Sequence, residues 1–274
     1  MTYHLEDLFG VKGRAVIVTG GSSGLGAEIA SALTDLGAQV AIIGRTKEKC
    51  DRVLAALREK NPSCLGFHLD ITDEKAMEEA FAAVYKSFGR IDGLVNSAGI
   101  CQIEDLENFE MKDFTRIIDV NLLGTVISCK LAGKYMLAAG CGSIVNISSQ
   151  STRVGKPGYT AYAASKAAVD GFTRALATEW IRKGVKVNSI SPGLFVTDIN
   201  RKEIEANPEI FRQRVADIPR GKAGEPPLLV APVVALLTPG TDHMVGQTLA
   251  VDGGTSAGIM KVMALPKKTH RVPE

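Results

Sequence analysis

Net charge is nearly absent from this chain. Its 32 basic residues face 30 acidic ones, leaving a formal +2 over 274 residues. Nothing in that balance calls for nucleic acid or an anionic membrane as a partner. No apolar run reaches the ~18 residues of a membrane span. Met1 to Asp7 is polar and mildly acidic, without the basic start and apolar stretch of a secretory leader. The five cysteines, at positions 50, 64, 101, 129 and 141, are odd in number and show no CxxC or metal-ligand spacing. Most lie in apolar or helical stretches, where a free thiol behaves as a small core residue. That usage reads as a reducing, cytoplasmic setting. With four scattered histidines, no protein-bound metal is expected. Internal repeats and Pro/Gly/Ser linkers are also missing, so 1–274 is expected to form a single domain.

What is present is an alternation. Strand-like runs cover Arg14–Thr19, Gln39–Ile43, Cys64–Asp70, Asp92–Asn96, Ser143–Ile147, Val185–Ile190 and Thr248–Val251. Helical patterns fill the gaps at Gly24–Leu36, Thr46–Lys60, Thr72–Phe88, Lys112–Ala139, Tyr162–Arg182 and Pro226–Leu237, with Thr72 a plausible N-cap. Strands separated by helices of ten or more residues imply βαβ crossovers and a mostly parallel sheet. The expectation is α/β: one doubly wound Rossmann domain with about seven parallel strands and helices on both faces. Two segments break the rhythm. Leu194 to Gly224 is polar and weakly periodic, and reads as a substrate loop. The tail from 256 to 274 has little structure signal, and its charges read as solvated.

The first strand ends in Thr19-Gly20-Gly21-Ser22-Ser23-Gly24-Leu25-Gly26, immediately before the first helix. Glycines allow a tight turn and close backbone approach. The helix N-terminus behind them offers unpaired N–H groups and a positive dipole end, which suits a pyrophosphate. The spacing G-x-x-x-G-x-G is a variant of the dinucleotide fingerprint, in its proper strand–turn–helix context. At the end of the second strand a site for NAD usually places an acid for the ribose hydroxyls, whereas an Arg accommodates a 2′-phosphate. Here the chain reads Ile42-Ile43-Gly44-Arg45. Arg45 without an acid favours NADP(H) over NAD(H). Asp70, closing the third strand, faces the same crevice and is placed to meet the adenine end.

Tyr162 and Lys166 stand four apart at the start of a helix, so both project from one face. An ordinary phenol has a pKa of about 10, and a nearby cation favours the phenolate. A Tyr made more acidic in this way can exchange protons near neutral pH. YxxxK alone is a common chance match whose plain reading is a solvated Tyr. The surrounding residues decide between the two.

Together these residues resemble the short-chain dehydrogenase/reductase family over roughly residues 10–255. The resemblance rests on TGGSSGLG at 19–26, Asp70, NSAG at 96–99, Asn121, Ser149, Tyr162 with Lys166, and Pro192-Gly193 followed by Thr197. Position by position it implies that Tyr162 exchanges the proton and that Ser149 hydrogen-bonds the substrate oxygen. Lys166 binds the nicotinamide ribose and favours the phenolate, and Asn121 holds a water in a proton relay. It further implies that Gly20, Ser22, Ser23, Gly24, Leu25 and Gly26 cradle the cofactor, and that Asp70 and Ile71 flank its adenine. Asn96, Ala98 and Gly99 line the adenosine side. Pro192, Gly193, Phe195 and Thr197 meet the nicotinamide half. A homotetramer, or a homodimer, is the assembly the family implies. Tyr159 is a decoy, since position 163 is Ala. Two positions depart from the pattern: Ser97 replaces a usual Asn, and Phe195 a smaller β-branched residue.

The activity implied is ketone–alcohol interconversion by hydride transfer. The alternative is a dinucleotide-binding regulator or scaffold without turnover, which has no need of Asn121, Ser149, Tyr162 and Lys166 together. An epimerase or dehydratase holding NAD would require a larger substrate domain. The pattern looks most like the gluconate 5-dehydrogenase and ketoacyl-reductase branches. The substrate pocket is expected to draw on Gln150 to Arg153, Ile100 to Ile103, Tyr159 and 194–220, including Ile199, Asn200, Arg201 and Lys202. Arg153 is a possible grip for an anionic substrate, with a solvated Arg the plainer reading.

Overall fold

A computed structural model describes residues 2, 4–197, 201 and 204–258. Ile199, Asn200, Lys202 and the tail beyond 258 lie outside the described residues. The strands are β1 (Ala15–Thr19), β2 (Gln39–Gly44), β3 (Leu65–His68), β4 (Gly93–Asn96), β5 (Gly142–Ile147), β6 (Val185–Pro192) and β7 (Thr248–Val251). They form one seven-stranded sheet in the order β3-β2-β1-β4-β5-β6-β7, with every pairing parallel. The order reverses between β1 and β4, so the crevice beyond their carboxyl ends is where a ligand fits.

Helices cover both faces, which is why β1 and β4 are buried throughout. Alternate residues feed two separate cores. Ile17, Ile43, Leu94, Ile144 and Val187 face one side. There they pack with Met77 and Phe81 of α4 (Glu74–Phe88), Ile127 and Met136 of α6 (Gly124–Ala139), and Trp180 of α7 (Thr160–Trp180). Val16, Val18, Val40, Ile42, Val95 and Val145 face the other. They meet Ile29 and Leu33 of α2 (Gly24–Asp35), Leu57 of α3 (Lys47–Lys60), and Val233 and Leu236 of α9 (Val230–Leu237). Two-sided burial turns the alternation of a strand into a continuous apolar run.

Three local features differ from the sequence expectation. Helix α4 starts at Glu74, with Asp73 as its cap: the Asp73 carboxylate accepts from Ala76 N at 3.0 Å. Thr72 is not the cap, because its hydroxyl donates to Asp70 at 2.7 Å. The long helix expected over 112–139 is α5 (Met111–Ile118) and α6 joined by a π-helical turn, Asp119–Leu123. Met111–Ala139 is also the one described stretch long and apolar enough to cross a membrane, with half of its most apolar window buried. Its apolarity has a local cause: Ile127, Leu131 and Met136 sit in the sheet's core. Within the polar segment 194–224, residues Pro208–Ala216 form a helix, α8, begun by a proline where a helix tolerates one.

Candidate active site

The carboxyl ends of the strands open into a cavity of about 690 Å³. One end is built on the glycine turn. Gly20 has φ +69°, and a Cβ there would stand 2.6 Å from Ala98 N, so only glycine lets the β1 and β4 loops approach this closely. Ser23 caps α2 without a side-chain hydrogen bond. Among the described residues, the N–H groups of Gly24, Leu25 and Gly26 make no backbone hydrogen bond. That open donor set at the start of a twelve-residue helix fits a pyrophosphate. Gly20, Ser22, Ser23, Leu25 and Gly26 line the cavity, as do Arg45, Asp70, Ile71, Ala98, Gly99, Pro192, Gly193, Phe195 and Thr197. Lys49, which the sequence reading did not single out, lines it one helical turn beyond Arg45.

Asp70 is held locally. Thr72 N and Thr72 Oγ1 donate to Asp70 Oδ1 at 3.0 and 2.7 Å. Burial acts to raise the Asp70 pKa, but the Thr72 bonds, with Arg116 and Arg45, outweigh it and hold the carboxyl below its ordinary value. Ile71 is buried and belongs to the core as well as the cavity.

Gly24, Asn96 and Asn121 are not among the cavity-lining residues. The Asn96 amide lies behind the wall. It donates to Asn146 Oδ1 at 2.9 Å and accepts from Thr19 Oγ1 at 3.3 Å, and Asn146 continues to Thr173 at 2.9 Å. This network ties the ends of β1, β4 and β5 to α7. Asn121 is fully buried in the π turn. Its Oδ1 accepts from Ile100 N at 2.8 Å, and its Nδ2 donates to Ile100 O and Ser165 Oγ, each at 2.9 Å. The widened turn drives the side chain between the loop after β4 and the first turns of α7. Local π geometry often marks functional sites.

At the other end of the cavity stand Ser149, Tyr162 and Lys166. Ser149 follows β5, and its Oγ accepts from Ser151 N at 3.2 Å, fixing the hydroxyl. Ser148 also lines the cavity, but its Oγ is buried without a hydrogen-bond partner. Lys166 Nζ is buried and donates to Ile147 O at 2.7 Å. It lies 5.9 Å from the centre of the Tyr162 ring.

The electrostatics correct one expectation. Burial pushes the Tyr162 phenol up to about 12, with the Ser149 hydroxyl pulling partly the other way. Burial likewise lowers the Lys166 ammonium to about 8 against the attraction of Asp170. The ammonium is committed to a carbonyl and stands off the ring, so desolvation outweighs it. In this structure Tyr162 is therefore a protonated phenol at neutral pH.

The cavity is also lined by Ile100, Cys101, Ile103, Leu194 and Phe195, and by Lys156, Tyr159 and Arg214. Tyr159 meets Tyr162 edge-on at 6.3 Å, and Arg214 Nη2 donates to the Tyr159 hydroxyl. Arg153 turns away: it is not a lining residue, and its guanidinium donates to Thr248 O at 2.9 Å. Lys156 and Arg214 were not singled out in the sequence. Arg214 reaches the site only through the folding of α8, and Lys156 sits in a loop with no periodicity to mark it.

Comparison with known proteins gives a consistent answer. The model of the short chain dehydrogenase family matches residues 14–208. D-threitol dehydrogenase of Mycolicibacterium smegmatis is 36% identical over 246 residues, covering 90% of this chain and 94% of that protein. Gluconate 5-dehydrogenase of Gluconobacter oxydans is 32% identical over 253 residues, covering 92% and 98%. The solved structure of a gluconate 5-dehydrogenase from Burkholderia cenocepacia, in complex with NADP and tartrate, superposes with a TM-score of 0.87 at 30% identity, over 93% of this chain and 100% of that one. A parallel sheet with its cavity at the β1/β4 reversal, walled by an open glycine turn and a Ser–Tyr–Lys cluster, thus belongs to a member of the short-chain dehydrogenase family, an NAD(P)-dependent oxidoreductase acting on CH–OH donors.

Proposed function

We propose that this enzyme interconverts a ketone and a secondary alcohol with NADP(H), and that Tyr162 exchanges the proton. The observation that carries the reading is the placement of the Ser149 and Tyr162 hydroxyls together on one cavity wall, with the buried Lys166 ammonium beside them. The bound dinucleotide supplies or accepts the hydride. The protein's own residues do the rest. Ser149 and Tyr162 donate hydrogen bonds to the substrate oxygen, where negative charge grows during reduction. Tyr162, protonated at neutral pH, then transfers its proton to that oxygen. In the oxidative direction it must first lose that proton, a step its raised pKa opposes.

The residues proposed to hold the cofactor follow the cavity. Gly20 and Ser22 to Gly26 take the pyrophosphate. Asp70 and Ile71 flank the adenine, and Asn96 shapes the loop that brings Ala98 and Gly99 to the adenosine side. Pro192, Gly193, Phe195 and Thr197 bound the nicotinamide half, and Lys166 takes its ribose. Arg45 and Lys49, two cations at the ribose end, support NADP over NAD. Asn121 has a positioning part: it fixes Ile100 and Ser165 around Lys166. The assembly proposed is a homotetramer; Tyr85, which stacks on Tyr135 at 4.6 Å, leaves an apolar ring 44% exposed on the outer helices. Light scattering at four chain masses checks it.

Tyr162→Phe tests the central claim. A positioned general acid contributes about 10²- to 10⁴-fold, so kcat should fall by about 10³-fold while NADPH affinity stays within about twofold. Full activity in the variant overturns the assignment.

A further inference from the structure

Among the described residues, the buried charged side chains are Asp92, Lys166, Asp170, Lys186 and Asp252. Three of them are matched by close neighbours. Asp92 pairs with Arg90 at 2.6 Å, and Lys186 with Asp242 at 3.0 Å. Asp252 accepts from Gly254 N and Ser256 N, each at 2.9 Å. Lys166 and Asp170 remain. They stand four apart on α7, one turn from each other on the same helix face. Each has hydrogen bonds of its own. Lys166 Nζ donates to Ile147 O at 2.7 Å, and Asp170 Oδ1 accepts from Ser189 Oγ at 3.1 Å and Thr248 Oγ1 at 3.2 Å. The attraction between the two charges therefore acts across a helical turn.

The bonds to Ser189 and Thr248 tie α7 to β6 and β7, but they do not explain a carboxylate. The neutral amide of an Asn would accept both without the cost of burying a charge. What the charge adds is a field on the buried ammonium one turn away. Burial lowers Lys166 to about 8, and the Asp170 charge is the largest influence opposing it. Cys101, on the loop after β4, acts in the same sense more weakly. The other described groups about Lys166 are uncharged: the Tyr162 phenol on its own helix, Ile147 O on β5, and Asn121 bonded to Ser165. About Asp170, β6 and β7 contribute the Ser189 and Thr248 hydroxyls. Arg174, one turn further along α7, and Arg153, bonded to Thr248 O, are both exposed and screened by solvent.

We propose that Asp170 is a positioning residue: its buried carboxylate keeps the Lys166 ammonium charged, so that a cation remains beside Tyr162 when cofactor covers the site. This rests on the reading that Lys166 takes the nicotinamide ribose. A cofactor lying over Lys166 strips water from it, which favours the neutral amine. Asp170 is not among the cavity-lining residues. It acts from within the protein, where the cofactor does not displace it.

The test reads folding and cofactor binding against pH. Asp170→Asn removes the charge and keeps the shape and the acceptor; Asp170→Thr takes its place if the Asn variant does not fold. An opposite charge at this range shifts a buried group by about one unit, a tenfold change in the ratio of charged to neutral Lys166. Urea unfolding of the cofactor-free protein should therefore show the folding constant reduced about tenfold more at about pH 6, where Lys166 is charged, than at about pH 10, where it is neutral in the folded state. In a Lys166→Met background the reduction should be equal at the two pH values. A reduction independent of pH in the parent background, or a pH dependence that survives Lys166→Met, overturns the proposal and leaves Asp170 a tie between α7 and the sheet. Fluorescence titration with NADPH is the second arm. From about pH 6 to about pH 8 the affinity of Asp170→Asn should weaken about fivefold relative to the parent at the same pH. The expected folding result with an NADPH affinity indifferent to the substitution supports the charge coupling and refutes the placement of Lys166 at the ribose.

Discussion

At the glycine-turn end of the cavity, the chain offers its backbone. Gly20 closes the gap to Ala98, and the first N–H groups of α2 stay open. Elsewhere the cavity is lined by side chains: Ser149 after β5, Tyr162 and Lys166 on α7, Lys156 before it, and Arg214 on α8. Backbone recognition needs a strand, a turn and a helix that are consecutive in the chain. Side-chain recognition assembles residues up to 65 positions apart (149 to 214). The first can be common to many enzymes because every dinucleotide has a pyrophosphate. The second can differ from one enzyme to the next, because each of its residues comes from a different element.

The comparison can be broken by substitution. The largest effect is expected at Gly20. Gly20→Val puts a Cβ against Ala98 N at a left-handed φ. The conformation alone costs about 1–2 kcal/mol, and the overlap adds to it. Urea unfolding should show a loss of about 3 kcal/mol or more, accompanied by loss of NADPH binding. A variant of unchanged stability would show that the turn is looser than its geometry implies.

Asn121→Ala comes next. It strips Ile100 N–H and C=O of their partner at the junction of the two ends. Leaving buried backbone groups unpaired costs about 1–3 kcal/mol each, so about 2–4 kcal/mol should be lost in urea unfolding. NADPH affinity should fall less than kcat, since the displaced groups surround Lys166. Equal loss in both would mean that Asn121 supports the whole cavity uniformly.

Arg45→Gln should narrow the preference for NADP over NAD by about tenfold, about 1.4 kcal/mol, when the two dissociation constants are compared. Arg45 is exposed, so the effect should weaken in high salt. A preference that survives both Arg45→Gln and Lys49→Gln places the 2′-phosphate elsewhere.

A further test is a pH slope in the cofactor-free protein. Lys166 falls from an ordinary 10.5 to about 8 on folding. Between those values the unfolded chain binds more protons than the folded one, so stability rises with pH across that window. Lys166→Met should flatten the rise. Tyr162, raised from 10 to about 12, works in the opposite sense, and stability falls as pH climbs through that range. Tyr162→Phe should remove that fall. Identical slopes in variant and parent would show that neither group is desolvated on folding.

Much of the molecule was legible without coordinates. The seven strands, their parallel arrangement and the covering helices agree with the expectation to within a few residues. The misses have local causes. Thr72 was a good capping residue by type, but Asp70 two positions back captured its hydroxyl, leaving the cap to Asp73. The π turn at Asp119–Leu123 was invisible because one extra residue per turn barely disturbs an apolar pattern. Arg153 and Lys156 show the limit most clearly. Both lie in one polar loop three residues apart, and nothing in the order of residues says which faces the cavity. The fold sends Arg153 to the β7 carbonyl and Lys156 inward.

The sequence by itself determined the family, the sheet and the positions of Ser149, Tyr162 and Lys166. Those depend on periodicity and on short motifs, which are properties of neighbouring residues. Only the tertiary structure decided the state and surroundings of these groups. A phenol four residues from a lysine reads as one the cation makes more acidic, yet burial raises its pKa instead. Two cations 58 positions apart in the chain (156 to 214) share one wall because α8 folds back over the cavity. Desolvation and long-range juxtaposition are set by the whole packed molecule, so no local stretch of chain encodes them.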